Sequence, residues 1–142
     1  MSRSKGSARP HTEPPEFLFD RNLGKLVPSR LAALGWRVHL MADEFPNDGQ
    51  DTPDEVWIEH GLARGWVPLC KDGRIKGRAG EREPVERRNA VLFYLDNQRL
   101  RFEEMARRIH TAQAGIYRAV ARGGPAIYAI SANGVRRTWP EP

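Results

Sequence analysis

Four short apolar runs frame the chain: EFLFD at 16–20, RVHLM at 37–41, WVPLC at 66–70 and AVLFYL at 90–95. Runs of this length, bounded by turn residues, read as buried strands. Between them the apolar residues recur at helical spacing. Leu26, Val27, Leu31 and Leu34 do so ahead of Gly35, and Val56, Trp57, Leu62 and Ala63 form a second face that Gly61 or Gly65 ends. Glycine is a natural helix stop. A short helix is expected from near Pro84. The longest helix is expected over Phe102–Val120, with Phe102, Met105, Ile109, Ile116 and Val120 on its core face and Gly123-Gly124 as its end. Next, 127–131 and 135–139 flank Ala132-Asn133-Gly134. Asn-Gly between such runs signals a hairpin; the alternative is one edge strand and a frayed tail. The alternation predicts an α/β chain, a mostly parallel sheet covered by helices on both faces.

Local chemistry refines this outline. Thr52-Pro53-Asp54-Glu55 reads as a capping box, with Thr52 as cap, Pro53 at the first helical position and Glu55 at the third. Pro68 argues against a fully paired central strand. Residues 42–51 read as an acidic loop and 73–83 as a loop rich in Gly, Arg and Lys. Residues 1–15 are polar and rich in Pro, Ser and Arg, the composition of a flexible basic tail. At 142 residues the chain is long enough for one domain. That domain is expected over 16–139, with a short tail at 140–142.

The net charge of +5 hides an asymmetry. Residues 13–59 carry ten acids against four bases, and residues 64–137 carry sixteen bases against seven acids. A basic half points to nucleic acid, an anionic surface or an acidic partner. Cys70 is the only cysteine, which excludes an intrachain disulfide and a cysteine-based zinc site. No apolar run approaches the ~20 residues of a membrane span, and no apolar leader stands at the N-terminus. These features favour the cytoplasm and leave no membrane partner.

The acids fall at telling places. Asp20 ends the first run, Asp72 lies two residues past the third and Asp96 ends the fourth. Asp54 and Glu55 open the helix after the second. Parallel strands share one carboxyl edge, which is where sites form in such sheets. Carboxylates gathered there repel one another and hold their protons unless a cation neutralises them. Mg²⁺ or Mn²⁺, which prefer oxygen ligands, would do so. This is the chemistry of metal-dependent nucleases. Each acid also has a plainer account. Asp and Glu suit the first turn of a helix, and Asp suits a turn after a strand.

In these segments the chain resembles the PIN-like domain family, specifically the compact VapC-type toxins of prokaryotic toxin–antitoxin systems. The likeness is carried by FLFDRNL at 17–23, LAALGWRV at 31–38, DEVWI at 54–58 and GWVPLCKD at 65–72, and covers about 16–110. It implies a three-layer α/β/α sandwich, a divalent-metal site, RNA hydrolysis, an antitoxin protein that blocks the acidic pocket, and a homodimer. Asp20 matches the first-strand acid and Asp54 the acid opening the second helix, with Glu55 as its neighbour. Asp72 matches the acid after the third strand. Asp96 stands for a fourth acid that varies in the family. The resemblance thus implies Asp20, Asp54 and Asp72 as metal ligands, with Asp96 or Glu55 assisting catalysis. Two departures stand out. Cys70 replaces the usual hydroxyl residue two positions before the third acid, and Arg21 replaces the usual acid after the first.

Basic residues surround Asp72. Lys71, Arg74, Lys76, Arg78 and Arg82 flank or follow it, and with Arg21 they are the candidates for RNA phosphate contact. Arg99, Arg101, Arg107 and Arg108 read as surface pairing with Glu103 and Glu104. Trp57 and Trp66 read as core, and Trp139 as a partner or RNA contact. The four histidines show no metal spacing. The leading expectation is a metal-dependent endoribonuclease toxin. The alternative is a non-catalytic RNA-binding or regulatory protein that keeps the fold. A receiver-like signalling module also uses strand-end acids, but the acid pair it needs after the first strand is missing.

Overall fold

The computed structural model describes residues 13–71, 79–96 and 99–141. Its strands are β1 (Glu16–Phe19), β2 (Arg37–Leu40), β3 (Val67–Cys70), β4 (Val91–Leu95), β5 (Ala126–Ser131) and β6 (Gly134–Trp139). Its helices are α1 (Leu26–Ala33), α2 (Met41–Glu44), α3 (Asp54–Ala63), α4 (Ala79–Arg87), α5 (Phe102–Thr111) and α6 (Gln113–Arg122). The six strands form one sheet in the order β2-β1-β3-β4-β5-β6. β1 to β5 run parallel, and β6 returns antiparallel through the expected hairpin. No described helix is long and apolar enough to cross a membrane.

Alternation along the strands builds two cores, one on each face. Phe17, Phe19, Leu69, Phe93, Leu95 and Ile130 pack with Val27 and Leu31 of α1, Met105 and Ile109 of α5, and Ile116 of α6. Leu18, Cys70, Leu92, Tyr94 and Ile127 point the other way, against Trp57 and Ile58 of α3 and Val85 of α4. Neighbours such as Leu92 and Phe93 thus serve opposite layers, as a pleated strand requires. The result is the α/β/α sandwich.

Pro68 does sit in a central strand, opposite Leu18 of β1. In a parallel ladder each residue turns both backbone groups to one neighbour. The Leu69 carbonyl accepts the Asp20 N–H from the β1 side at 3.0 Å. The N–H that Pro68 lacks would therefore face β4, and pairing with β4 begins only at Leu69.

Four local expectations are corrected. Residues 42–51 are not a plain loop: they hold most of α2 and a 3-10 turn at Pro46–Gly49. The capping box does not form. The Pro53 carbonyl accepts the first helical bonds, from Val56 at 3.0 Å and Trp57 at 3.2 Å, so Pro53 itself stands at the cap and α3 starts at Asp54. Thr52 instead gives its N–H to the Gly49 carbonyl. α4 begins at Ala79, and Pro84 lies inside it at the cost of one bond to the Gly80 carbonyl. The long last helix is two. At Ala112 the N–H is shared between the Arg108 and Ile109 carbonyls, both at 3.1 Å, and α6 restarts at Gln113. Another 3-10 turn, Arg21–Leu23, follows β1 directly.

Candidate active site at the carboxyl edge of the sheet

β1, β3 and β4 run side by side with Phe19, Leu69 and Phe93 in one row. The next position on β1 is Asp20, level with Cys70. Its main chain is fixed by the bond to Leu69 and by the 3-10 turn that follows, in which the Asp20 carbonyl accepts the Leu23 N–H at 3.1 Å. Its side chain falls on the α3 side and is only 7% exposed. Such a carboxylate loses hydration. Burial first, and the charge of Asp54 second, push Asp20 up to about 6. The backbone N–H groups of Asn22 and Arg21 and the Arg21 cation pull the other way and fall short.

Asp54 is half-buried as the first residue of α3. Trp57, one turn on and 1% exposed, donates its indole N–H to Asp54 Oδ1 at 2.9 Å. The wholly buried tryptophan is thus both core and a holder of the carboxylate. The i,i+3 spacing of an acid and a donor on one helix was the available sequence signal. Glu55 is exposed, and its Oε2 reaches the start of α4, 3.8 Å from where a Cβ on Gly80 would stand.

A model of the PIN-like domain family matches residues 15–97, more than half of the chain. The chain belongs to the PIN-like domain family. A curated protein of Mycobacterium tuberculosis named "Putative ribonuclease VapC45" is 33% identical over 113 residues, spanning 78% of this chain and 82% of that protein. No solved structure matches. The family match takes in β1 to β4 of the PIN-like domain and stops just past Asp96, so α5, α6 and the hairpin lie beyond it.

The structure brings Asp20 and Asp54 of the PIN-like domain together. Asp96 follows β4, its N–H bound to the Ile130 carbonyl at 2.8 Å. Its side chain is 53% exposed and stands 3.9 Å from Arg136. Among the described residues no group of three His, Cys, Asp or Glu side chains could hold a metal ion. Asp72, Arg74, Lys76 and Arg78 lie outside the described residues. Lys71 is half-buried directly after β3, and Arg21 is exposed beside Asp20. Arg82 lies 5.0 Å over the Trp139 ring, holding α4 to β6. The Cys70 thiol is buried and points at the Phe93 carbonyl, 3.7 Å away.

The described histidines serve the frame. His39 stacks on Trp66 with ring centroids 3.5 Å apart and meets Glu16 at 2.8 Å. His60 meets Glu44, and His110 accepts the Trp36 indole N–H. As expected of surface pairing, Arg107 and Arg108 both bind Glu104.

Proposed function

We propose that this PIN-like domain, spanning 16–139, is an endoribonuclease toxin of a toxin–antitoxin pair that hydrolyses RNA phosphodiesters with a divalent metal. The observation that carries the reading is the buried carboxylate Asp20 set against Asp54 at the carboxyl edge of the sheet. Kinship with a protein named as a ribonuclease supports the reaction class.

The donor set fits a hard cation. Two neighbouring carboxylates, one of them buried and held toward its neutral form, offer oxygen ligands and gain from a positive neighbour. Asp20, Asp54 and Asp72 would hold Mg²⁺ or Mn²⁺, with Glu55 or Asp96 assisting. When bound, the metal supplies polarisation of the phosphodiester and activation of water. The chain's own residues do the rest. Trp57 keeps the Asp54 carboxylate in one orientation. Asp20 gives up its proton to become a ligand, so metal affinity falls as pH drops through about 6. Arg21 and Lys71 stand beside the acids and attract the phosphate. Arg74, Lys76, Arg78 and Arg82 would add salt-dependent attraction for the RNA phosphates. The antitoxin partner would meet the same acidic pocket.

Metal removal tests the reading. Wild-type protein with single-stranded RNA should cut in Mg²⁺ or Mn²⁺, stop in EDTA and resume when Mn²⁺ is restored. RNA binding in EDTA with no cleavage under any metal would instead identify a non-catalytic RNA-binding protein.

A further inference from the structure

We propose that the groove between α6 and the β5–β6 hairpin is a second phosphate-binding surface, one that holds single-stranded RNA beyond the carboxylates. The inference rests on the ribonuclease reading above. The groove encloses about 400 Å³, and Arg118, Arg122, Tyr128, Asn133 and Val135 are among its walls. Arg118 and Arg122 stand one helical turn apart and so share a face. Arg137 is the cross-strand partner of Tyr128, so it projects on the same side of the sheet. All three arginines are exposed.

Four other helix arginines are matched to acids, Arg107 and Arg108 with Glu104 and Arg87 and Arg88 with Glu59, while Arg30 of α1 lies over the Phe102 ring. Among the described residues Arg118, Arg122 and Arg137 have no such acid. Three like charges around one groove repel one another until an anion enters. Phosphate suits the planar guanidinium fork, which binds it in two places at once. Ala112, Ala114, Tyr128 and Val135 give the walls an apolar floor, and the arginines at the rim give the charge that selects a phosphate chain.

The groove also opens in the right place. Ile130 pairs with Leu95 and accepts the Asp96 N–H, so the hairpin turn after Ser131 rises from the same sheet edge as Asp20. A strand crossing that edge passes from the acids, over Asp96 and Arg136, to the groove.

The test uses the full chain in EDTA and a ~20-nucleotide fluorescent single-stranded RNA, read by anisotropy across a salt series. Against wild type stand the triple variant Arg118→Gln/Arg122→Gln/Arg137→Gln and its charge-keeping twin with Lys at all three. The Gln variant should bind about ten-fold or more weakly, and its log-affinity should depend on log salt with a slope smaller by about 2, near 0.7 per lost phosphate contact. The Lys variant should keep most of the wild-type slope, which separates lost charge from lost fold. Wild-type slope and affinity in the Gln variant, with wild type cutting RNA in Mg²⁺, would overturn the groove alone. A wild-type protein that does not cut RNA would overturn the parent reading first.

Discussion

Asp20 sits where a carboxylate is poorly hydrated, and the consequence can be measured without any substrate. Its folded pKa of about 6 lies above the ordinary value of 3.8. Below both values the side chain is protonated in either state and has no linkage effect. As pH rises from about 4 to 6 the unfolded chain loses that proton first, so folding is progressively disfavoured. Above 6 the penalty is complete, about 3 kcal/mol from a shift of roughly two units at ~1.4 kcal/mol each. Asp20→Asn removes the titration. Urea melts of metal-free protein should show the variant gaining on wild type between pH 4 and 6, then holding a constant lead. Parallel stability curves would contradict the burial argument. Trp57 offers a second residue-scale test. Its indole N–H to Asp54 is a bond to a charged group, worth about 1.5–3 kcal/mol. A double-mutant cycle of Trp57→Phe with Asp54→Ala, which removes the acceptor, should return a coupling of that size, because the cavity cost of the first change cancels.

At the scale of elements, the tightest joint is the turn from α6 into β5. Gly123 ends the helix at φ 81° with open space around it. Gly124 lies against β4, where any Cβ would collide with the Ala90 carbonyl. The two adjacent glycines are therefore unlike. Gly123→Ala should cost about 1–3 kcal/mol, because φ 81° with ψ −177° is a backbone region open essentially to glycine alone. Gly124→Ala should cost at least about 3 kcal/mol, because backbone must move. Thermal melts of the two variants would separate them, and equal losses would refute the close approach. Elements also mark where sequence reading ran out. The strands were legible because four apolar runs carried them. The break at Ala112 was not, since Phe102, Met105, Ile109, Ile116 and Ala119 keep helical spacing straight through it. The start of α3 was misplaced by one residue because Pro suits both the cap and the first turn, and only the Pro53 carbonyl bonds decide between them.

For the whole molecule, the uneven charge now has a spatial meaning. Few of the acids are gathered: Asp20 and Asp54 meet on one face of the sheet, while Asp43, Asp48 and Asp51 are exposed surface. Strand-end position was enough to read Asp20 from the sequence, because parallel strands must share an edge. The role of Trp57 had only a faint signal, its i,i+3 spacing from Asp54, since a buried tryptophan reads as core whether or not its N–H holds a carboxylate. Arg82 was read as a phosphate contact from its neighbours in sequence, yet its guanidinium also rests on Trp139, a partner from the far end of the chain. The claim that joins these scales is that Asp20 and Asp54 form the catalytic centre of a metal-dependent ribonuclease. It is tested most directly by cleavage of single-stranded RNA in Mg²⁺ by wild type and Asp20→Asn side by side, both checked for fold by circular dichroism. Wild type should cut, and the variant should lose at least about 100-fold, some 2.7 kcal/mol of transition-state stabilisation. Equal cutting by a folded Asp20→Asn protein would contradict the claim.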